Sequence, residues 1–150
     1  MVKKHKSAKG ITLVALVITI IVLLILAGVT IAALSGDNGI LKRGSESKVS
    51  TNIANVKDVF NTVAAEGITE YYNSKYVTGD NTLTDSIGKT VADKIYQSST
   101  SKTYCTGSAA TASGTSYKIV TNVKDADGAA LTATIDENGK ITWENDKMTK

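Results

Sequence analysis

Twenty-four consecutive residues, Ile11 to Leu34, carry no charge, and few folds can accommodate such a segment. At about 1.5 Å rise per residue, a helix of this length slightly exceeds the roughly 30 Å hydrocarbon core of a bilayer. Its side chains are Ile, Leu, Val and Ala, interrupted only by Thr12, Thr19, Gly28 and Thr30. All four are tolerated in a membrane helix, where a hydroxyl bonds back to the backbone and a glycine admits a close neighbour. The segment predicts a single membrane-spanning helix over residues 11–35. Lys3, Lys4, Lys6 and Lys9 precede it, with His5 among them. That excess of positive charge keeps the N-terminus cytoplasmic and sends residues 36–150 outward from the cytoplasmic membrane.

An ordinary secretory signal has an apolar region of roughly 7 to 15 residues, so Ile11–Leu34 is too long to be one, although Ala32-Ala33-Leu34-Ser35 resembles a cleavage site. A plain uncleaved anchor fits the hydrophobic count equally well, and the junction before the helix discriminates between the two. A basic leader, residues 1–10, ends in Lys9-Gly10 and abuts the apolar stretch directly. The run Lys9-Gly10-Ile11-Thr12-Leu13-Val14-Ala15-Leu16-Val17 resembles the cleavage region of type IV prepilins and pseudopilins, and the likeness covers about the first 40 residues. It implies that a membrane-embedded prepilin peptidase cuts between Gly10 and Ile11 and methylates the new amine of Ile11. It also implies that the freed helix packs with other pilin or pseudopilin subunits into a cell-surface filament of a pilus or secretion machine.

Three positions depart from that family. Ile11 stands where Phe or Met is common, a mild change. Ala15 occupies the place at which most members carry Glu, the carboxylate that meets the terminal amine of a neighbouring subunit. Some minor pseudopilins and Gram-positive pilin-like proteins share this lack, so the resemblance implies a minor or pilin-like subunit, with the Thr12 hydroxyl or neighbouring carbonyls left to satisfy the amine. The chain has no Pro, so any kink in this helix falls to Gly28. The assembly residues expected from the resemblance are therefore Thr12, Ala15 and Gly28.

The precursor has 17 basic and 14 acidic residues. The leader supplies four Lys and no acid, leaving 13 against 14, a formal −1. No basic patch argues for nucleic acid, and the remaining Lys read as a solvated surface.

Ser35-Gly36-Asp37-Asn38-Gly39 marks a helix end or sharp kink. A second, amphipathic helix is expected over residues 40–66, because Val49, Ile53, Val56, Phe60 and Val63 recur at spacings of 4, 3, 4 and 3 with Lys57, Asp58 and Asn61 off the stripe. The resemblance implies that this stripe packs under a β-sheet; a short coiled-coil stalk is the alternative. Residues 67–116 are rich in Ser, Thr, Asn and Gly and read as loops, with Val91–Tyr96 either one helical turn or a short strand, and Ser98–Ser116 an exposed loop.

Alternation then returns. Tyr117, Ile119, Thr121 and Val123 form one strand face, Leu131, Ala133 and Ile135 a second, Ile141 and Trp143 a third. A three-residue Glu137-Asn138-Gly139 loop with left-handed Gly139 pairs Ile135 with Ile141 and Ala133 with Trp143, whereas a two-residue loop would set Asp136 against Ile141. The expected head, residues 36–150, is thus α+β, with a three-stranded antiparallel sheet over 117–144.

Catalytic chemistry finds little support. The sole His, His5, lies in the leader, and the sole Cys, Cys105, has no intrachain partner and no flanking His or basic cluster to activate it. Asp125, Asp127 and Asp136 are the one candidate calcium set; their spacing fails the EF-hand pattern, and an ordinary Asp/Gly turn is the competing reading. The expectation is a structural, non-enzymatic protein without a cofactor.

Overall fold

The computed structural model describes residues 13–36, 39–79 and 85–148. These fall into two compact units divided between Gly44 and Ser45. The fold class is α+β, with a long apolar N-terminal helix followed by helices and an antiparallel sheet.

The first unit holds α1 (Leu13–Ser35) and the opening turn of α2 (Ile40–Tyr72). After α1 the Gly36 amide donates to the Ala32 carbonyl at 3.0 Å, and the Gly39 amide to the Gly36 carbonyl at 2.7 Å. Gly39 is buried, and a Cβ added there would press onto the Leu34 carbonyl oxygen. Only glycine lets the chain approach its own helix end this closely.

In the second unit, Ile53, Val56 and Phe60 of α2 are fully buried and Val63 nearly so, with Val49 packed beside them. The stripe continues beyond residue 66, because Ala64, Gly67 and Tyr71 keep the helical period and are buried too. Polar residues on the solvent face had made this stretch read as loop. A π-helical turn over Asn73–Val77 follows.

Residues 67–116 also contain α3 (Ile87–Gln97), the short α4 (Ser99–Lys102) and a fourth strand. The Val91–Tyr96 segment is helical. Ser86 caps α3, its side chain accepting from the Lys89 amide at 3.2 Å, while Val91, Ala92, Ile95 and Tyr96 are buried on one face. Gly67 lets α3 come close to α2, since a Cβ there would lie 3.2 Å from the Val91 Cα. The buried Ser101 of α4 donates to the Ile95 carbonyl at 2.6 Å, tying α4 to the end of α3.

The sheet runs β1 (Thr111–Ser113), β2 (Ser116–Lys124), β3 (Ala130–Ile135) and β4 (Ile141–Glu144), antiparallel and in sequence order. It has four strands where three are expected. The added β1 is fully exposed Thr-Ala-Ser, without the hydrophobic alternation that marks a strand. The last hairpin has the expected register, Ile135 opposite Ile141 and Ala133 opposite Trp143, and Gly139 has φ 84°.

The pairing of β2 with β3 slips between Val120 and Lys124. There the buried Thr121 hydroxyl donates to the Leu131 carbonyl at 2.8 Å and receives the Val123 amide at 3.3 Å, filling the gap in the ladder.

Ile119, Leu131, Ala133 and Ile135 join the α2 and α3 residues in one hydrophobic cluster, and the Phe60 and Trp143 rings stand 5.4 Å apart. The α2 stripe is therefore buried under the sheet, not in a coiled-coil stalk. Each fully buried aliphatic or aromatic side chain is worth about 1.5–3 kcal/mol. The ion pairs Lys89–Asp93, Lys118–Glu144 and Lys147–Asp127 are exposed, and solvent screening leaves such pairs a small net contribution. The core, not the charges, holds the head together.

The β3–β4 turn is seated on α3, with the Gly88 amide donating to the Glu137 carbonyl at 3.1 Å. A Cβ at Gly88 would collide with the Asp136 carbonyl oxygen, which is backbone and cannot swing aside. Gly88→Ala should therefore lower the unfolding free energy of the detergent-solubilised chain by about 1–3 kcal/mol. Urea unfolding followed by Trp143 fluorescence reads this directly; an unchanged midpoint would mean that the turn does not rest on α3.

Candidate functional site

No residue of α1 is buried, and the exposure of its large apolar side chains ranges from 43% at Leu34 to 78% at Leu13. An apolar helix of a water-soluble domain buries at least one stripe. This helix is apolar on every side, and contiguous apolar surface of such extent marks a membrane or interaction site. Its two threonine hydroxyls are already satisfied. The Thr19 hydroxyl donates to the Leu16 carbonyl at 2.8 Å, and the Thr30 hydroxyl to the Ala27 carbonyl at 2.9 Å and the Leu26 carbonyl at 3.0 Å. With these bonds closed within the helix, α1 presents a surface with no unmet hydroxyl donor at either Thr to lipid or to another helix. By length and composition, α1 meets the requirement for crossing a bilayer.

Among the expected processing and assembly residues, Gly10, Ile11 and Thr12 lie outside the described residues. Ala15 is in the first turns of α1 and is exposed. Gly28 is an interior position of the helix, and the space around its Cα is open: a Cβ there would meet nothing within 4 Å.

The candidate calcium set is not assembled. Asp125 belongs to the β2–β3 turn and Asp136 to the β3–β4 turn, at opposite ends of β3. Each carboxylate closes its own turn. Asp125 Oδ1 accepts from the Asp127 amide at 3.0 Å and the Ala129 amide at 2.8 Å. Asp136 Oδ1 accepts from the Asn138 and Lys140 amides, both at 2.9 Å. The two turns share the spelling Asp-x-(Asp/Asn)-Gly, with Gly128 and Gly139 both left-handed. This is Asx-turn chemistry, in which the oxygen proposed for a metal is consumed by backbone donors. Asp127 points elsewhere, accepting from Lys147 Nζ at 2.9 Å. Among the described residues, no three His, Cys, Asp or Glu side chains converge on a metal-sized site.

One surface feature escapes a composition-based reading. At the end of α2, Tyr72 and Tyr76 stack with centroids 5.9 Å apart, and Lys75 Nζ lies 5.3 Å from the Tyr71 ring and donates to the Tyr71 hydroxyl. That hydroxyl holds the ammonium above its ordinary pKa. The signal was present as an i, i+4 aromatic pair, hidden by the loop assignment.

Cys105 is half-buried, bridges to β2 opposite Thr121 and points its thiol at the Ser101 carbonyl, 3.5 Å away. Burial pushes the thiol up to about 11. A thiol held protonated is a poor nucleophile.

No family model matches the chain, and no curated protein or solved structure compared with it matches either.

At pH 7.5, iodoacetamide should alkylate Cys105 of the folded chain about a hundredfold more slowly than that of the urea-unfolded chain, in proportion to its thiolate fraction. Mass-resolved labelling kinetics measures this; equal rates would contradict the burial of the thiol.

Proposed function

We propose that the chain is a pilin-like structural subunit of a type IV pilus or a type II secretion-like filament, cleaved after Gly10 and assembled through its N-terminal helix. The observation that carries this reading is an uncovered apolar helix directly preceded in sequence by a short basic leader ending in glycine. A helix destined only to anchor needs no glycine at that junction. A helix destined to leave the bilayer needs to lose its leader. Each Lys drawn into an apolar filament core is disfavoured by about 2.5–3.5 kcal/mol on insertion scales, and there are four.

In this reading, prepilin peptidase removes residues 1–10 at the cytoplasmic face and methylates Ile11. The helix then exchanges lipid for the helices of neighbouring subunits, while the α+β head remains outside the membrane. The exchange costs little in hydrophobic burial because lipid and neighbouring helices are comparably apolar. The Thr19 and Thr30 hydroxyls, bonded to their own backbone, suit either setting.

Ala15 favours a second reading, a single-pass surface protein whose head binds a partner while the intact helix anchors it. Without a carboxylate at Ala15 no ion pair fixes the register between subunits.

Mass spectrometry of the mature N-terminus, with and without prepilin peptidase, separates the two. The subunit reading predicts a methylated Ile11 terminus when the peptidase is present and a retained leader when it is absent or when Gly10→Ala is introduced. A leader retained in every case would leave only the anchor.

A further inference from the structure

The sheet ends at β4, which has β3 on one side and no strand on the other. The Lys140 carbonyl accepts the Asp136 amide at 3.0 Å, and from that closing pair the alternation of an antiparallel ladder turns the backbone of Thr142 toward β3 and that of Ile141 and Trp143 away from it. Among the described residues, no group bonds the outward amides and carbonyls of Ile141 and Trp143. Side chains alternate as well: Ile141 and Trp143 pack against the core, whereas Lys140, Thr142 and Glu144 are exposed. The Lys140 ammonium has no carboxylate partner among the described residues. The Glu144 carboxylate accepts from Lys118 Nζ at 3.1 Å through Oε2, and its side chain remains 58% exposed.

We propose that the β4 edge pairs antiparallel with the β4 edge of a second copy of this chain, about a two-fold axis at Thr142. The edge is complementary to itself. With Thr142 opposite Thr142, Ile141 of each copy faces Trp143 of the other, so that outward amides meet outward carbonyls. The same register sets Lys140 of each copy opposite Glu144 of the other, an ion pair at either end of the edge, and any other antiparallel register breaks that match. Glu144 can receive this second cation because a carboxylate has acceptor sites on both of its oxygens. The opposite edge of the sheet, β1, offers Thr111-Ala112-Ser113, with no charge to set a register. Only residues of the second unit take part, so the pairing does not depend on the fate of the leader. A four-residue edge falls short of the roughly 1,200 Å² buried in a lasting interface, so the contact belongs to heads concentrated in one micelle or membrane and dissolves between free heads.

The test uses the detergent-solubilised full chain with Cys105→Ser, at a ratio that places several chains in one micelle, equilibrated in a glutathione redox buffer. A single cysteine is introduced at Thr142→Cys or, in a separate sample, at Asn138→Cys in the exposed turn of the same hairpin. Opposed side chains at a non-hydrogen-bonded antiparallel pair have Cβ atoms about 4.5–5.5 Å apart, within a small adjustment of a disulfide, whereas two copies of residue 138 would lie about 20 Å or more apart. Disulfide-linked dimer should therefore be about tenfold more abundant with Thr142→Cys than with Asn138→Cys. Lys140→Glu or Glu144→Lys is then added to the Thr142→Cys chain. Each alone sets like charges opposite one another and should reduce its own dimer several-fold. An equimolar mixture of the two should give mixed dimer well above the statistical half, because the variants carry opposite charges at both facing positions.

Equal dimer from the two cysteines, in chains whose Trp143 fluorescence shows them folded, would mean that heads meet without this register and would overturn the proposal. Absence of dimer with Thr142→Cys would overturn it too and leave the edge to a strand of another protein. Mixed dimer at the statistical half would show that Lys140 and Glu144 do not face each other across the copies, which also contradicts it. None of these results bears on cleavage after Gly10, which the mature N-terminus reports separately.

Discussion

The constraint on which everything else depends is the apolar surface of α1, which is exposed on every side within its own unit. Twenty-three residues of Ile, Leu, Val, Ala, Thr and Gly with one terminal Ser form a helix that buries none of its side chains within its own unit. In water such a surface drives association, because apolar area removed from water stabilises by about 25 cal/mol per Å² whatever covers it. The interior backbone polar groups are closed by helix geometry, and the Thr19 and Thr30 hydroxyls are closed onto it. A surface so prepared has two physical solutions, lipid or other helices. The proposed life cycle uses both in turn, and the basic leader is the obstacle between them.

The head has a hydrophobic core of its own. Its core joins α2, α3 and the inner face of the sheet through Phe60, Ile53, Ile95, Ile119, Leu131 and Ile135. Close approaches at Gly67 and Gly88 hold the helices and the last hairpin at backbone-to-backbone distance. Two turns of the same chemistry, each an Asp carboxylate accepting two amides ahead of a left-handed Gly, fix the lengths of the β2–β3 and β3–β4 connections.

Periodicity read correctly wherever a single face is apolar. Val49 to Val63 at helical spacing, and Ile119, Leu131, Ala133 and Ile135 at strand spacing, declare their burial, and the hairpin register follows because a one-residue slip would turn Asp136 inward. The same patterns leave Val91–Tyr96 open between helix and strand, and give no sign of the end of α2 or of β1. In α3 the apolar pairs Val91-Ala92 and Ile95-Tyr96 are separated by Asp93 and Lys94 within a Ser- and Gly-rich neighbourhood, and composition outweighs period. In β1 no side chain is buried, so no pattern exists to detect. The aspartates were the opposite case: their clustering in sequence suggests a shared ligand, yet a carboxylate two residues before a turn amide is consumed locally. Of the residues proposed for processing and assembly, Ala15 and Gly28 lie on α1, Ala15 exposed and Gly28 with open space around its Cα, while Gly10, Ile11 and Thr12 lie outside the described residues.

The central claim is that the apolar helix serves contacts outside its own chain. Its most direct test is the unfolding free energy of residues 45–150 expressed alone, compared with that of the same unit in the detergent-solubilised full chain. The account predicts a soluble monomer that unfolds cooperatively with a urea midpoint indistinguishable from that of the full chain. A truncated head that aggregates, or that loses its cooperative transition, would show that α1 is part of the head's own core and would contradict the account.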